Sequence, residues 1–521
     1  MRAFFAAFFV VALWSTAPAM LCAREVAEES VSRSSGLLIG WGSVDITPDE
    51  PVLISGQFHA RVSEGIMDPV TATALALESV ENGRSQGRVV MVSCDLSTLA
   101  ECLRDGVREH LRRDLPELDP KAVFFSATHT HSGPYTAVRP RYRPGAEVEE
   151  HPYGIELDVM SPADYVDFAA RRIADAVIEA WNGRRPGGIA FGLGHAVVGR
   201  NRLIAYRDGS SRMYGNTDQA DFSHVEGYED HSVNVVATYD GDRKLTGVVV
   251  NLACPSQLSE HIHEISADFW HETREELGAR LGEELFVLPQ HGPAGDQASR
   301  VLWGRAAEER MWRLAGRTQR EEVGVRIADA VTGVLALVED EVDWNPTLVH
   351  RIATVELPRR QISEQDVRDA LADAARAQEQ FESMLRDLEA NPEKKEERRW
   401  YRDITRSYRL SQRGARVAER FELQQTQPNL PIEVHVVRLG DVAFATNPFE
   451  LYLDFGVQMK ARSRAVQTFL VQLAGPGSYV PTERSVAGGA YGAVPASTEV
   501  GPEGGRILVD WTVEAINALF E

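Results

Sequence analysis

Two histidines separated by a single residue give the sharpest chemical signal in this sequence. His129 and His131 follow the apolar run Ala122–Thr128 and precede a Gly-Pro turn at Gly133. Histidines two apart on an extended chain point to the same side, so both imidazoles are expected to face one pocket. Open α/β sheets bind ligands at the ends of such strands. One imidazole suits Zn²⁺, and the second can carry a proton or ligate the metal.

Strand and helix patterns alternate in the first half of the chain. Ser161 can cap a helix that has Pro162 in its first turn, and apolar residues recur at helical spacing up to Trp181. Other helices are expected at Leu99–Leu115 and Ala267–Leu281. The alternation predicts an α/β domain with a mixed sheet. Apolar runs predict its strands at Arg88–Asp95, Ala122–Thr128, Gly188–Gly194, Val233–Tyr239 and Thr246–Ala253.

The composition changes between Ser363 and Gln424, where charged residues and alanines dominate. Asn391-Pro392 interrupts this stretch, so residues 363–424 are predicted to form a hairpin of two long amphipathic helices. The plain interpretation of the hairpin is a solvated insertion without chemistry. Short strands are expected again from Ile432, with a closing helix at Glu503–Phe520.

Length and charge bound the class of protein. The chain has 521 residues, 43% of them hydrophobic, which suffices for a large core. A formal net charge of -22 argues against binding nucleic acid or an anionic membrane surface, because phosphate binding needs a basic face. A lipid-like substrate held in a local apolar groove remains compatible with this charge.

The N-terminus is typical of a secretory signal peptide. Arg2 is followed by the apolar run Ala3–Leu13 and by small residues at Ala19 and Ala23, near which cleavage is expected. A membrane anchor is the alternative interpretation of residues 1–23. Three cysteines would remain after cleavage, which cannot form a disulfide framework. A secreted or periplasmic protein without a later membrane span is therefore expected.

Several motifs resemble those of the neutral, non-lysosomal ceramidases, zinc amidases that cut the N-acyl bond of ceramide in sphingolipid metabolism. Ala127–Pro134 is similar to the family's signature, and Gly40–Pro48 to its opening strand. Asn201-Arg202 and the closing segments around Ser478–Glu483 and Tyr491 also match. The resemblance covers the chain from about Gly40 to Phe520 outside the hairpin. It implies a catalytic domain over residues 36–521 of the neutral-ceramidase fold.

The resemblance also implies roles for individual residues. The family holds zinc through two histidines, a glutamate and a tyrosine, which here implies His129, Glu450 and Tyr479 with one histidine unaccounted for. On the residues alone, Glu450 could instead cap the following helix, Arg202 could be a structural salt-bridge partner, and Tyr479 could be a core residue. The family's proton-handling and carbonyl-polarising groups correspond to His131, Arg202 and Tyr491.

Two positions depart from the family pattern. Cys254 stands where the second zinc histidine is expected; its thiolate can ligate zinc, or it is a small buried residue with His261 or His263 ligating instead. Ala298 replaces a serine that has been regarded as a nucleophile, which favours metal-activated water. Asp296 can orient site residues or only cap a turn.

The chain ends shortly after Gly501-Pro502, so no C-terminal immunoglobulin-like domain is expected. The sequence therefore predicts an exported Zn²⁺-dependent hydrolase of a C–N amide bond, acting on a small or lipid-like N-acyl substrate. The alternatives are a deacylase or amidase for N-acylated sugars or peptides, and a non-catalytic lipid- or glycan-binding relative.

Overall fold

A large mixed sheet forms the centre of the computed structural model, which describes residues 35–137 and 151–521. The predicted signal peptide lies outside these residues. Parallel pairing occurs at both ends of the sheet, and antiparallel pairing between them. The predicted mixed α/β class is confirmed. The strand order is Phe286–His291, Leu245–Leu252, Ser232–Asp240, Arg185–His195, Gly36–Asp45, Thr71–Glu81, Arg84–Cys94 and Val123–Ala127.

A second sheet packs face to face against the first. Alternation along the strands explains the contact, because successive side chains point to opposite faces. Leu75 and Leu77 of the large sheet share a buried cluster with Val442 and Phe444 of the small sheet. The sequence predicted strands in this region but not a separate layer. The small sheet has the order Leu348–Pro358, Asn429–Leu439, Val442–Thr446 and Gln467–Val471.

Helices cover the outer face of the large sheet. Ala74 and Ala76, which alternate with the leucines above, pack against the helix Pro162–Asn182. Gly40 allows this helix to approach closely, because a Cβ there would lie 1.9 Å from the carbonyl oxygen of Ala180. The Ser161 hydroxyl accepts from the backbone of Asp164, which confirms the predicted cap. The other helices of this layer are Glu101–Asp114, Phe269–Leu281 and Gln319–Val338, the last preceded by Arg305–Ala315.

The outer face of the small sheet carries its own helix layer. Val434 and Val436 pack there against Leu508 and Val513. The closing helix spans Pro502–Asn517 and lies beside Leu453–Arg462. The protein therefore has four layers: helices, large sheet, small sheet and helices.

The predicted helical hairpin is present, with helices Glu364–Ala390 and Arg402–Thr426. Asp366 and Ser363 form a capping box at its start. Phe381 and Ile404 of the hairpin pack against Leu53 and Tyr153 from the first part of the chain. The hairpin is therefore attached to the domain through an apolar cluster rather than standing free in solvent.

Short elements complete the chain. Within the described residues, no helix combines the length and hydropathy needed to cross a membrane. The short strands are Gly65–Ile66, Arg200–Asn201, Leu203–Tyr206, Ser211–Met213, Phe222–Val225, Glu264–Ile265, Gln297–Ala298, Glu450–Leu451 and Tyr479–Val480; a further short helix is Glu483–Gly488, and 3₁₀ turns lie at Pro120–Ala122, Pro392–Glu396, Tyr491–Ala493 and Pro495–Ser497.

Candidate functional site

The predicted site residues converge where strands of both sheets end. His129 follows Val123–Ala127 of the large sheet, and Glu450 follows Val442–Thr446 of the small sheet. Tyr479 is brought beside Glu450 by a short parallel pairing of their backbones. A cavity of about 670 Å³ opens there, and these three side chains line it. Its volume falls in the range of ligand sites.

His129 is buried and held in an unusual backbone conformation. Its side chain lines the cavity and its backbone φ is 63°, so the chain is not extended at His129 and that part of the prediction is wrong. Its ring lies 4.9 Å from that of His131, and both imidazoles face the cavity, as predicted. Nδ1 of His129 donates to the carbonyl oxygen of Ser97. That bond leaves the lone pair of Nε2 to face the site.

Glu450 meets His129 at a distance that suits a shared cation. Nε2 of His129 and Oε2 of Glu450 are 3.4 Å apart. This is long for a hydrogen bond, whereas two ligands at tetrahedral Zn²⁺ bond lengths are separated by about 3.4 Å. Two lone pairs facing each other are repulsive until a proton or a metal ion lies between them. Burial alone raises the pKa of Glu450, but His129 and Arg202 outweigh it and lower the pKa.

The hydroxyl oxygen of Tyr479 is a third candidate ligand atom beside His129 and Glu450. Burial, followed by the neighbouring Glu450, raises the pKa of its hydroxyl well above the ordinary value, so the phenol is neutral. Among the described residues, no three His, Cys, Asp or Glu side chains form a metal-binding group by themselves. His129, Glu450 and Tyr479 could nevertheless together supply three ligands, the number of protein ligands in a catalytic zinc site.

Glu450 is not a helix cap. The helix Leu453–Arg462 begins after Tyr452, which has no capping side-chain bond. That alternative interpretation of Glu450 is therefore wrong. Its carboxylate is directed instead toward His129 and Arg202, with Nη2 of Arg202 at 3.8 Å.

Hydrogen bonds from both terminal nitrogens of its guanidinium fix the position of Arg202. It donates to the Tyr479 hydroxyl at 3.3 Å, the Gly295 carbonyl at 2.9 Å and the Tyr214 hydroxyl at 3.0 Å. The guanidinium lines the cavity while almost fully buried. Arg202 therefore orients Tyr479 and places a positive charge beside Glu450.

His131 lies next to the candidate metal ligand His129, and both line the cavity. Nε2 of Gln257 donates to its Nε2 at 2.9 Å, because the amide oxygen of Gln257 already accepts from Arg202. The imidazole proton is then on Nδ1, which faces Glu260 at 3.4 Å. Burial lowers the pKa of His131 to about 4 despite Glu260. A neutral imidazole with a carboxylate behind it is suited to proton transfer.

Cys254 lies behind the cavity wall rather than on it. Its side chain packs with Val198 and Trp270 in the core beneath the large sheet. Burial, followed by the charge of Asp268, raises the pKa of the thiol. The cysteine ligand remains a prediction, and these surroundings do not favour a thiolate.

The two alternative histidines also lie away from His129. The side chain of His261 is 75% exposed. Nδ1 of His263 lies 3.4 Å from the Val62 carbonyl and 3.8 Å from Glu64. Neither side chain is among the described residues that line the cavity.

Asp296 connects the loops that carry the site. One carboxylate oxygen accepts from Asn201 at 2.7 Å and the other from the backbone of Leu453 at 2.9 Å. Its carbonyl accepts from the backbone of Arg202 at 2.8 Å. Asp296 therefore orients Arg202, which agrees with the first of its two predicted roles. Ala298 is buried in a strand pair opposite Arg200 and presents no functional group.

The sequence did not indicate several residues of the site. Gln257 and Glu260 belong to no recognisable motif, and the loop that follows a strand positions them in the site. His291 ends another strand, with its ring 5.7 Å from that of His129 and its Nε2 buried without a described hydrogen-bond partner. Gln472 donates to its Nδ1 at 2.7 Å, so Nε2 carries the proton and His291 supports the site rather than ligating a metal.

Tyr491 lines the cavity beyond Tyr479, with the two rings 6.0 Å apart. Part of the cavity lining comes from the hairpin, whose second helix contributes arginines 409, 413, 416 and 420. Their spacing of four, three and four residues was visible in the sequence as one helical face. What the sequence could not show is that this face turns toward the histidines.

Comparisons with known proteins agree with the fold. A solved structure described as "Ceramidase complexed with C2" superposes with a TM-score of 0.64 at 15% sequence identity, covering 93% of this chain and 75% of that one. The neutral ceramidase from Pseudomonas aeruginosa superposes with a TM-score of 0.61 at 16% identity, covering 93% and 74%. No family model and no curated protein matches the sequence. The protein therefore has a neutral-ceramidase-like fold.

Proposed function

We propose that this protein is an exported hydrolase that cuts the C–N amide bond of an N-acyl substrate and depends on Zn²⁺. The observation that carries the proposal is the convergence of His129, Glu450 and Tyr479 under one cavity, with neutral His131 beside them. These three donors would hold the ion, which when bound acidifies water and polarises a carbonyl. Cys254 is not needed for such a set.

The residues of the chain divide the remaining work. Water adds to the amide carbonyl carbon, and Nε2 of His131 takes the proton that the water gives up, which requires the water to replace Gln257 as the hydrogen-bond partner of that nitrogen. Glu260, 3.4 Å from Nδ1, stabilises the resulting imidazolium. His131 then returns the proton to the leaving nitrogen as the C–N bond breaks. The products are a carboxylate and an amine.

Arg202 and Tyr491 support the carbonyl. The Arg202 guanidinium is buried and held by four hydrogen-bond acceptors, so it can stabilise negative charge without reorganising. Tyr491 is a neutral phenol, because burial raises the pKa of its hydroxyl. It can donate a hydrogen bond to an oxygen that becomes negative.

The test is hydrolysis of a panel of N-acyl amides with fatty-acyl, sugar and peptide members, followed by mass spectrometry of both products. The protein is assayed after zinc is resupplied, beside His131→Asn and Glu450→Gln. Glu109→Gln is the matched control, because that side chain is 75% exposed. We expect turnover in the wild type and the control and a loss of at least 10²-fold in the two site variants. No turnover of any amide by zinc-loaded wild type would leave a binding protein on this fold.

A further inference from the structure

The lining of the cavity is rich in arginine. Among the described residues that line the cavity, five are arginines and two are glutamates. The protein as a whole has a formal net charge of -22. Arginines therefore outnumber carboxylates in the described lining, and the surroundings of each arginine decide whether a ligand can bind it.

Two of these arginines are balanced by carboxylates of the protein. Arg202 lies 3.8 Å from Glu450, and Arg420 lies 3.9 Å from Glu499. Arg420 also donates to the carbonyl oxygens of Pro495 at 2.7 Å and Thr498 at 3.1 Å. These two side chains have a structural explanation within the fold.

Arg413 has different surroundings. Its Nη2 donates to the Ser497 hydroxyl at 2.7 Å, and its guanidinium lies over the rings of Tyr491 at 4.9 Å and Phe58 at 5.7 Å. The hydroxyl of Ser497 in turn donates to the carbonyl of Tyr491 at 2.6 Å. All these partners are neutral. One N–H group of this half-buried cation is held by Ser497 and the guanidinium lies against two rings, so its remaining N–H groups point in a limited range of directions.

Arg413 is within reach of the same substrate as the histidines. The Tyr491 ring, which Arg413 covers, is 6.0 Å from the ring of Tyr479, and the Tyr479 hydroxyl meets Arg202 beside Glu450. All of these side chains line one cavity. A molecule whose amide lies at His129 can therefore extend past two rings to the arginine.

We propose that the substrate is an anionic N-acyl amide, whose carboxylate or phosphate binds the guanidinium of Arg413. The proposal rests on the proposed hydrolase function and adds the chemical class of its substrate. A planar fork is matched to either oxyanion, with two parallel N–H···O bonds. A neutral headgroup would leave the arginine without an anion. The hairpin is then part of the substrate-binding site rather than a solvated insertion.

The experiment uses three probes that share an acyl chain: N-octanoylglycine, N-octanoylglycinamide and N-octanoyl-phosphoethanolamine. Their kcat/KM values are compared where they are hydrolysed, and their Kd values by calorimetry where they are not. Wild type is tested beside Arg413→Gln and the charge-keeping variant Arg413→Lys. Arg406→Gln is the matched control, an exposed arginine on the same helix. Thermal unfolding confirms that each variant is folded.

We expect wild type to prefer an anionic probe over the neutral amide by roughly 30-fold, the range of a charge-assisted bidentate contact. Arg413→Gln reduces this preference to about 1–3-fold, Arg413→Lys retains part of it, and Arg406→Gln retains it fully. A preference for the glycine or for the phosphate probe identifies the oxyanion.

Equal use of the neutral and anionic probes by wild type would overturn the proposal, as would an unchanged preference in Arg413→Gln. If the neutral and the anionic probes are hydrolysed under either of these results, the hydrolase function stands and only the anion site fails. Selective binding of the anion without hydrolysis of either probe has the opposite meaning, since the anion site would then stand and the hydrolase function would fail.

Discussion

Gly56 holds the position of His131, and its replacement by alanine tests whether that position matters. A Cβ at Gly56 would lie 2.4 Å from Cγ and 2.8 Å from Nδ1 of the His131 ring. Carbon atoms in contact are normally about 3.5–4.0 Å apart, so the ring must move by about 1 Å. A shift of that size can lower turnover by about 10²-fold when the group transfers a proton.

The backbone contributes a separate cost. Gly56 has φ of 100°, a conformation that strains any residue with a side chain. Gly83 is the matched control, because its φ is 73° and a Cβ there would meet nothing within 4 Å. Both variants should lose about 1 kcal/mol of unfolding free energy or somewhat more.

The assay is kcat/KM for an N-acyl amide that wild type hydrolyses, together with urea unfolding of both variants. We expect a roughly 10²-fold lower kcat/KM in Gly56→Ala and less than twofold change in Gly83→Ala. Equal activity of the two folded variants would refute the role assigned to His131.

Three further outcomes follow from the structure. Asp95 is fully buried and accepts hydrogen bonds from both terminal nitrogens of Arg274, at 2.8 and 3.1 Å. Asp95→Asn should therefore lower the free energy of chemical unfolding by about 3–5 kcal/mol, against less than about 0.5 kcal/mol for Glu109→Gln. Equally small losses in both variants would contradict the importance of the pair. Burial, then the neighbouring His435, lowers the pKa of His350 from 6.5 to about 4, so the folded state resists protonation, and stability present above pH 6.5 falls as the pH drops toward 4. Wild type should lose stability between about pH 7 and pH 5, and His350→Gln should reduce that loss by about 1–2 kcal/mol. If calorimetric melting gives the variant and wild type the same pH profile, His350 is not a source of the pH dependence. Cys254→Ser should keep bound zinc, since the thiol packs in the core, and loss of zinc from the folded variant would restore the cysteine ligand.

The elements that carry local signals could be predicted from the sequence. Ser161 and Pro162 marked the start of a helix, and the break at Asn391 divided the hairpin, because caps and breakers act within a few residues. The second sheet could not be recognised as a layer of its own. Its strands alternate like those of the first sheet, and only long-range packing separates the two.

The site divides in the same way. His129 and His131 were accessible because they adjoin a strand, and Glu450 and Tyr479 because of their resemblance to a known pattern. Glu260 and Arg413 were not accessible, since each reaches the cavity through a loop or helix distant in sequence from the histidines. The left-handed conformation of His129 also has no local signal, because histidine rarely adopts it without tertiary support.

The most direct test of the central claim is zinc content, measured by plasma mass spectrometry on the purified protein after dialysis against a zinc buffer. Wild type is compared with His129→Ala, Glu450→Gln and the surface control Glu109→Gln. We predict about one zinc per chain in wild type and control, and loss of the ion in both site variants. Wild type without zinc, or zinc retained in full by both folded site variants, would contradict the proposed metal site.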